Sequence, residues 1–144
     1  MRISRLAFFA LISTTCLPAP ASPDLSGVWE AGDRAHTAIY GFLKLSNADI
    51  QFSLKGEKWN CKTSYEIVGA GNDETYSEEV SPFPDGVRPW VYVKLRLGKS
   101  KCTQASHFVL AFMPGQPDYA GFVEFRNTSQ WSGTGHFHRT YRGE

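Results

Sequence analysis

The side chains of this chain that are best able to do chemistry are few and scattered. His136 and His138 lie two apart in a segment of alternating pattern, so they share one face, as two metal ligands would. Their face-mates Ser132, Thr134 and Thr140 are polar, which marks the solvent side, and a metal would want a third ligand such as His107 or a carboxylate. His36 has no visible partner in the sequence, and no metal is assigned. Asp73, Glu74, Glu78 and Glu79 form an acidic stretch beside a Pro-rich loop. Paired carboxylates do acid–base work only in a cleft that perturbs them, and acids in and around a loop are ordinarily solvated. No G-x-S-x-G, H-E-x-x-H or phosphate-binding glycine loop occurs, and Ser26 and Ser132 sit beside glycines with no base to activate them. The chain is therefore expected not to be an enzyme, with no catalytic residue and no cofactor.

Compartment follows from the first residues. Arg2 and Arg5 supply a positive start, Leu6–Ile12 an apolar run, and Ala19-Pro20-Ala21 the small residues a signal peptidase reads, so residues 1–21 are expected to be a signal peptide cleaved before Ser22. A membrane span would need about 20 apolar residues, and Ser13, Thr14 and Thr15 cut this run short. Ser13-Thr14-Thr15-Cys16 also lacks the Leu and Gly/Ala of a bacterial lipobox. The expectation is a secreted or periplasmic protein with one domain, residues 22–144, and no membrane span. Only Cys61 and Cys102 then remain, an even pair in an oxidising compartment, which predicts a disulfide. A redox pair would want Cys-x-x-Cys spacing, and zinc would want more thiols or histidines close by.

The chain carries 15 basic and 14 acidic residues, and losing residues 1–21 takes Arg2 and Arg5 and no acid. So even a balance gives no argument for nucleic acid or an anionic membrane surface as partner. Ten Phe, six Tyr and four Trp suit strands.

The elements that would position these residues alternate with period two almost everywhere. Ile50, Phe52 and Leu54 share a face, as do Val91, Val93, Leu95 and Leu97, then Phe108, Leu110 and Phe112, then Val123 and Phe125. Turn residues fall between them, Ser81–Gly86 making the strongest break. The spacing predicts eight strands, at about 36–46, 49–55, 59–69, 74–80, 89–97, 104–113, 119–126 and 130–141. Short connections favour antiparallel neighbours, so the expected fold is all-β, a single eight-stranded antiparallel up-and-down barrel. Tyr92, Lys94 and Arg96 then form a charged outer strand face.

Three small motifs carry a resemblance. Gly27-Val28-Trp29, ahead of the first strand, resembles the G-x-W that opens lipocalins, where the Trp plugs the closed end of the barrel. Asp118-Tyr119, between the sixth and seventh strands, stands where lipocalins carry T-D-Y, with Pro117 in place of the Thr. Arg139 or Arg142, late in the eighth strand, can take the place of the lipocalin Arg that packs across that Trp. The resemblance implies structural roles for Gly27, Trp29, Asp118, Tyr119 and Arg139, and a pocket at the open end. The chain stops at Glu144, with no room for the helix that family packs on its barrel, and Ser46-Asn47 makes a tight turn where it carries a long loop. The interior is therefore expected to be mostly filled.

Two functions follow on these grounds, the first the leading expectation and the second its alternative. In the first, the barrel binds a small apolar ligand in its interior or mouth, against Phe52, Tyr65, Phe108, Phe112 and Phe125, with Phe83 on the rim. In the second, it is a periplasmic protein-binding module, of the inhibitor or immunity type, acting through surface loops. Phe83 on its Pro82–Gly86 loop serves either reading, as a lid or as an anchor, or folds back and is buried. The leader makes the first test: intact mass of the exported protein is expected to begin at Ser22, and a mass retaining residues 1–21 contradicts the signal reading.

Overall fold

The computed structural model describes residues 22–54, 58–59, 61–83, 86–127 and 130–141. The expected signal segment 1–21, Lys55-Gly56-Glu57, Pro84-Asp85, Thr128-Ser129 and Arg142 lie outside the described residues. Eight antiparallel strands close into one barrel in sequence order: β1 (Gly27–Ala31), β2 (Phe42–Leu45), β3 (Asp49–Ser53), β4 (Cys61–Asn72), β5 (Val91–Leu97), β6 (His107–Phe112), β7 (Tyr119–Phe125) and β8 (Trp131–Tyr141). Closure comes from β1 on β8, with Trp29 opposite Arg139. One helix, α1 (Arg34–Ile39), lies between β1 and β2.

The strand count agrees with expectation, but two of its members differ. Residues 36–46 are not one strand. Asp33 caps α1 by accepting the His36 N–H at 2.9 Å, and Gly41, at a φ of 59°, turns the chain into β2. The strand that the spacing does not predict is β1, in the segment ahead of residues 36–46. Residues 74–80 form no strand either. They belong to a long connection, 73–90, that returns over the outside of β5, β6 and β7. There Phe83 and Trp90 pack on Ala111, and Tyr76 and Val80 pack beside Val109, Val123 and Phe125.

That outer layer corrects two expectations. Phe125 does not face the interior: it lies with Val109 and Val123 on the outer face, because Ala120, Phe122 and Glu124 take the inward phase of β7. With both faces of β7 covered, alternation alone cannot choose between them. Phe83 forms no rim. It is folded back and buried, stacked 6.3 Å from Tyr119 and edge-on to Trp90 at 6.1 Å.

The interior is filled by side chains. Phe108 and Phe122 meet at 4.8 Å between ring centroids, Phe122 and Phe137 at 5.0 Å, and Tyr40 and Phe52 at 5.5 Å, among buried Leu43, Ile50, Val93, Leu95 and Leu110. At one end Trp29 closes the stack, 5.9 Å from Phe112, its indole N–H donating to Leu25 O. The Arg139 guanidinium lies 4.5 Å over the Trp29 ring and donates to the Ser26, Asp24 and Pro117 carbonyls. Its Nε faces the Asp118 carboxylate at 3.1 Å, out of line for a hydrogen bond, so that contact is ionic. At the other end the expected disulfide joins Cys61, heading β4, to Cys102 in the β5–β6 connection, with Cα atoms 5.4 Å apart. Closing a loop of that length stabilises by about 4 kcal/mol in the chain-entropy account.

Beyond Ser64, β4 outruns β3. From Glu66 to Asn72 its ladder is with β5 alone, and a bulge breaks the register between Ile67 and Gly69. Ile67 and Val68 are correspondingly 53% and 41% exposed. The Trp29 end carries the clearest stability test. Trp29→Ala removes a buried aromatic and strands Arg139, so a loss of about 3–5 kcal/mol is expected in denaturant unfolding; an unchanged midpoint contradicts the packing described.

Candidate functional site at the helix-covered end

In an up-and-down barrel the β1–β2, β3–β4, β5–β6 and β7–β8 connections share one end. Here α1 lies across it. The helix is short, and it is held by what it buries rather than by propensity. His36 sits edge-on to Phe122 at 5.1 Å, and Tyr40 contacts Phe52, Phe108 and Phe122. Both are buried, so α1 plugs the end with two polar-tipped rings.

Each polar tip is satisfied. His36 Nδ1 lies 2.9 Å from both Asp33 oxygens. Burial pushes the Asp33 carboxyl upward, but hydrogen bonds from the His36 backbone and ring, the His36 charge and the His136 N–H together hold it below its ordinary range. A side chain at Gly135 would strike Asp33 and His36, so only glycine lets β8 pass this close. The Tyr40 hydroxyl donates to Glu124 Oε2 and lies 3.0 Å from Thr103 Oγ1, while Ser132 Oγ donates to Glu124 Oε1 at 2.7 Å. Burial, and then the bond to Glu124, raise the Tyr40 pKa strongly, so the phenol stays protonated and is the donor.

Beside this network opens a cleft of about 610 Å³, between the end of α1, the β5–β6 connection and the top of β7. Tyr40, Glu124 and Thr103 line it together with Ile39, Cys102, Lys101, Gln104 and Arg126. Around the same end stand the exposed apolar side chains Ile39 (62%), Leu54 (36%), Trp59 (38%) and Trp131 (49%).

The residues singled out in the sequence are dispersed. Phe52, Phe108 and Phe112 are inward and buried, and Tyr65 packs against the same core with its hydroxyl donating to Ser46 O at 2.6 Å. His136 and His138 are on the outer face of β8 around Tyr119, at 5.5 and 4.9 Å, and no group of three metal-ligating side chains occurs among the described residues. His107 is outward too, 2.9 Å from Ser106 Oγ, its pKa lowered by burial and then by Lys94 and Arg96. The acidic stretch is divided among separate partners: Asp73 pairs with Arg88 at 2.8 Å and Glu78 with Lys94.

Sequence reasoning missed Tyr40, Glu124, Asp33 and Thr103. Glu124 left one signal: it continues the phase of Ala120 and Phe122, an inward carboxylate in an apolar strand. No family model, curated protein or solved structure matches this chain.

The Asp33–His36 pair makes stability depend on acid. A carboxyl lowered on folding contributes stability above its unfolded value, 3.8, and loses it as pH falls through the folded one. Asp33→Asn is therefore expected to flatten the acid limb of stability against pH. An unaltered acid limb by thermal unfolding contradicts the role given to Asp33.

Proposed function

We propose that this protein is an exported, non-catalytic binding module that grips another protein with the helix-covered end of its barrel, as an inhibitor or immunity-type protein does. The observation that carries this is the gathering of Ile39, Leu54, Trp59 and Trp131 in exposed positions at one end of a barrel whose interior is already filled. Exposed Trp side chains are the residues most enriched among interface anchors, and clustered apolar exposure on a soluble domain marks a contact surface. A filled interior removes the reason to place a ligand among Phe52, Phe108 and Phe112. The disulfide favours an oxidising compartment and so an exported protein. The stacking of Arg139 on Trp29, with Asp118 beside it, supports a lipocalin-like ancestry for the scaffold without demanding a lipocalin's cavity.

A second reading keeps the small apolar ligand, moved from the interior to the cleft of about 610 Å³ beside Tyr40, which is within the usual size of ligand sites. Native mass spectrometry of the protein purified from its own host separates the two. The expected result is a retained protein partner that Trp59→Ser with Trp131→Ser releases while the barrel stays folded. A retained small molecule with no protein partner overturns the module reading in favour of the second.

A further inference from the structure

The chain is nearly neutral as a whole, yet the described connections at the helix-covered end of the barrel are rich in cations. The described connections at the helix-covered end carry Arg34, Lys58, Lys99, Lys101 and Arg126 against a single acid, Asp33, which His36 engages. Among the described residues, the lead-in and the β6–β7 connection at the Trp29 end carry Asp24 and Asp118 beside buried Arg139, and Asp73, at the start of the β4–β5 connection, pairs with Arg88; Glu78 lies farther along that connection, on the outer wall, where it pairs with Lys94. An excess of cations at the helix-covered end attracts and orients an approaching acidic partner.

The cleft repeats this excess at short range. Lys101 and Arg126 are exposed on its walls, and among the described residues neither has a carboxylate within ion-pair distance. The one acid in the cleft, Glu124, has both oxygens already accepting, from Tyr40 and Ser132. What the cleft offers a newcomer is therefore two free cations beside the apolar side chain of Ile39.

We propose that the helix-covered end docks an acidic protein surface, and that the cleft takes one of its carboxylates between Lys101 and Arg126 while Ile39, Trp59 and Trp131 meet apolar neighbours of that carboxylate. This rests on the module reading and adds the chemistry of its partner. A nucleic acid fits less well. Five cations spread over four connections and interrupted by Leu54, Trp59 and Trp131 make no continuous track for a phosphate backbone. An anionic membrane would be met by a flat surface, leaving the cleft empty.

The test uses the mature protein and three terminally blocked peptides of alternating leucine with glutamate, glutamine or lysine. Backbone amide NMR is expected to show the glutamate peptide shifting residues 99–104 and 126, with affinity falling at least about tenfold as salt rises from low to high ionic strength. The glutamine and lysine peptides are expected not to bind. Lys101→Glu with Arg126→Glu, two exposed positions, is expected to abolish binding with an unchanged unfolding midpoint, and Glu74→Lys, exposed in the turn after β4 at the opposite end, to leave it intact. Equal binding of the glutamine peptide, or indifference to Lys101→Glu with Arg126→Glu, overturns the proposal. So does preferential shifting of the same residues by a DNA oligonucleotide or by vesicles of mixed neutral and anionic phospholipid. The two readings fail differently. A host partner released by Trp59→Ser with Trp131→Ser but held by Lys101→Glu with Arg126→Glu leaves the module standing and removes its acidic chemistry; a partner held by both pairs removes the module itself.

Discussion

Closure of β1 onto β8 is the constraint on which the remaining structure depends, and Arg139 is the side chain that secures it. Its guanidinium is almost wholly buried, lies on the Trp29 ring, and reaches backbone carbonyls on both the lead-in and the β6–β7 connection. A cation in that position is tolerable because three carbonyls and the Asp118 carboxylate surround it. With this end fixed, the inward rings from Phe112 to Phe137 have a floor to pack on, and the barrel needs no ligand to be full.

The opposite end is closed by different physics. There the plug is a six-residue helix, too short to persist by itself, whose one buried side chain, His36, and whose C-cap Tyr40 are both polar at the tip. Asp33, Glu124, Thr103 and Ser132 exist in this arrangement to satisfy those tips, since a buried group without a partner costs far more than a hydrogen bond returns. The same network fixes the wall of the cleft, because Tyr40 and Glu124 belong to both. Rigid walls lower the cost of ordering when something binds.

The barrel was legible in the sequence because its strands alternate and their connections are short. The Cys61–Cys102 pair was legible because only two cysteines remain after an expected leader, and Trp29 with Arg139 was legible through the lipocalin resemblance, which left Arg142 as an alternative. The helix-covered end was not. Six helical residues are fewer than two turns, and Ile39, Gly41, Leu43 and Leu45 continue a false alternation straight through the helix end. The outer layer hid in a similar way: Tyr76 and Val80 look like strand residues but are buried by draping over β5–β7 without pairing. Once that layer covers β7 on its outside, both phases of the strand are buried, and the inward carboxylate of Glu124 reads as a surface residue. Proximity of Lys101 to Arg126 comes from a β5–β6 connection meeting the top of β7, which no spacing along the chain encodes.

The overrun of β4 past β3 has a consequence for how these molecules behave in a crowd. A bare stretch of strand edge is a template that a second copy can extend, and repeated extension ends in fibres. From Glu66 to Asn72 that template is spoiled. The bulge between Ile67 and Gly69 breaks the repeat, Glu66 and its partner Arg96 put charge at its start, and Gly69 and Gly71 offer an incoming strand nothing to pack against. A barrel that leaves Ile67 and Val68 in water is thus guarded against sheet-wise polymerisation by irregular backbone, a flanking ion pair and glycines together.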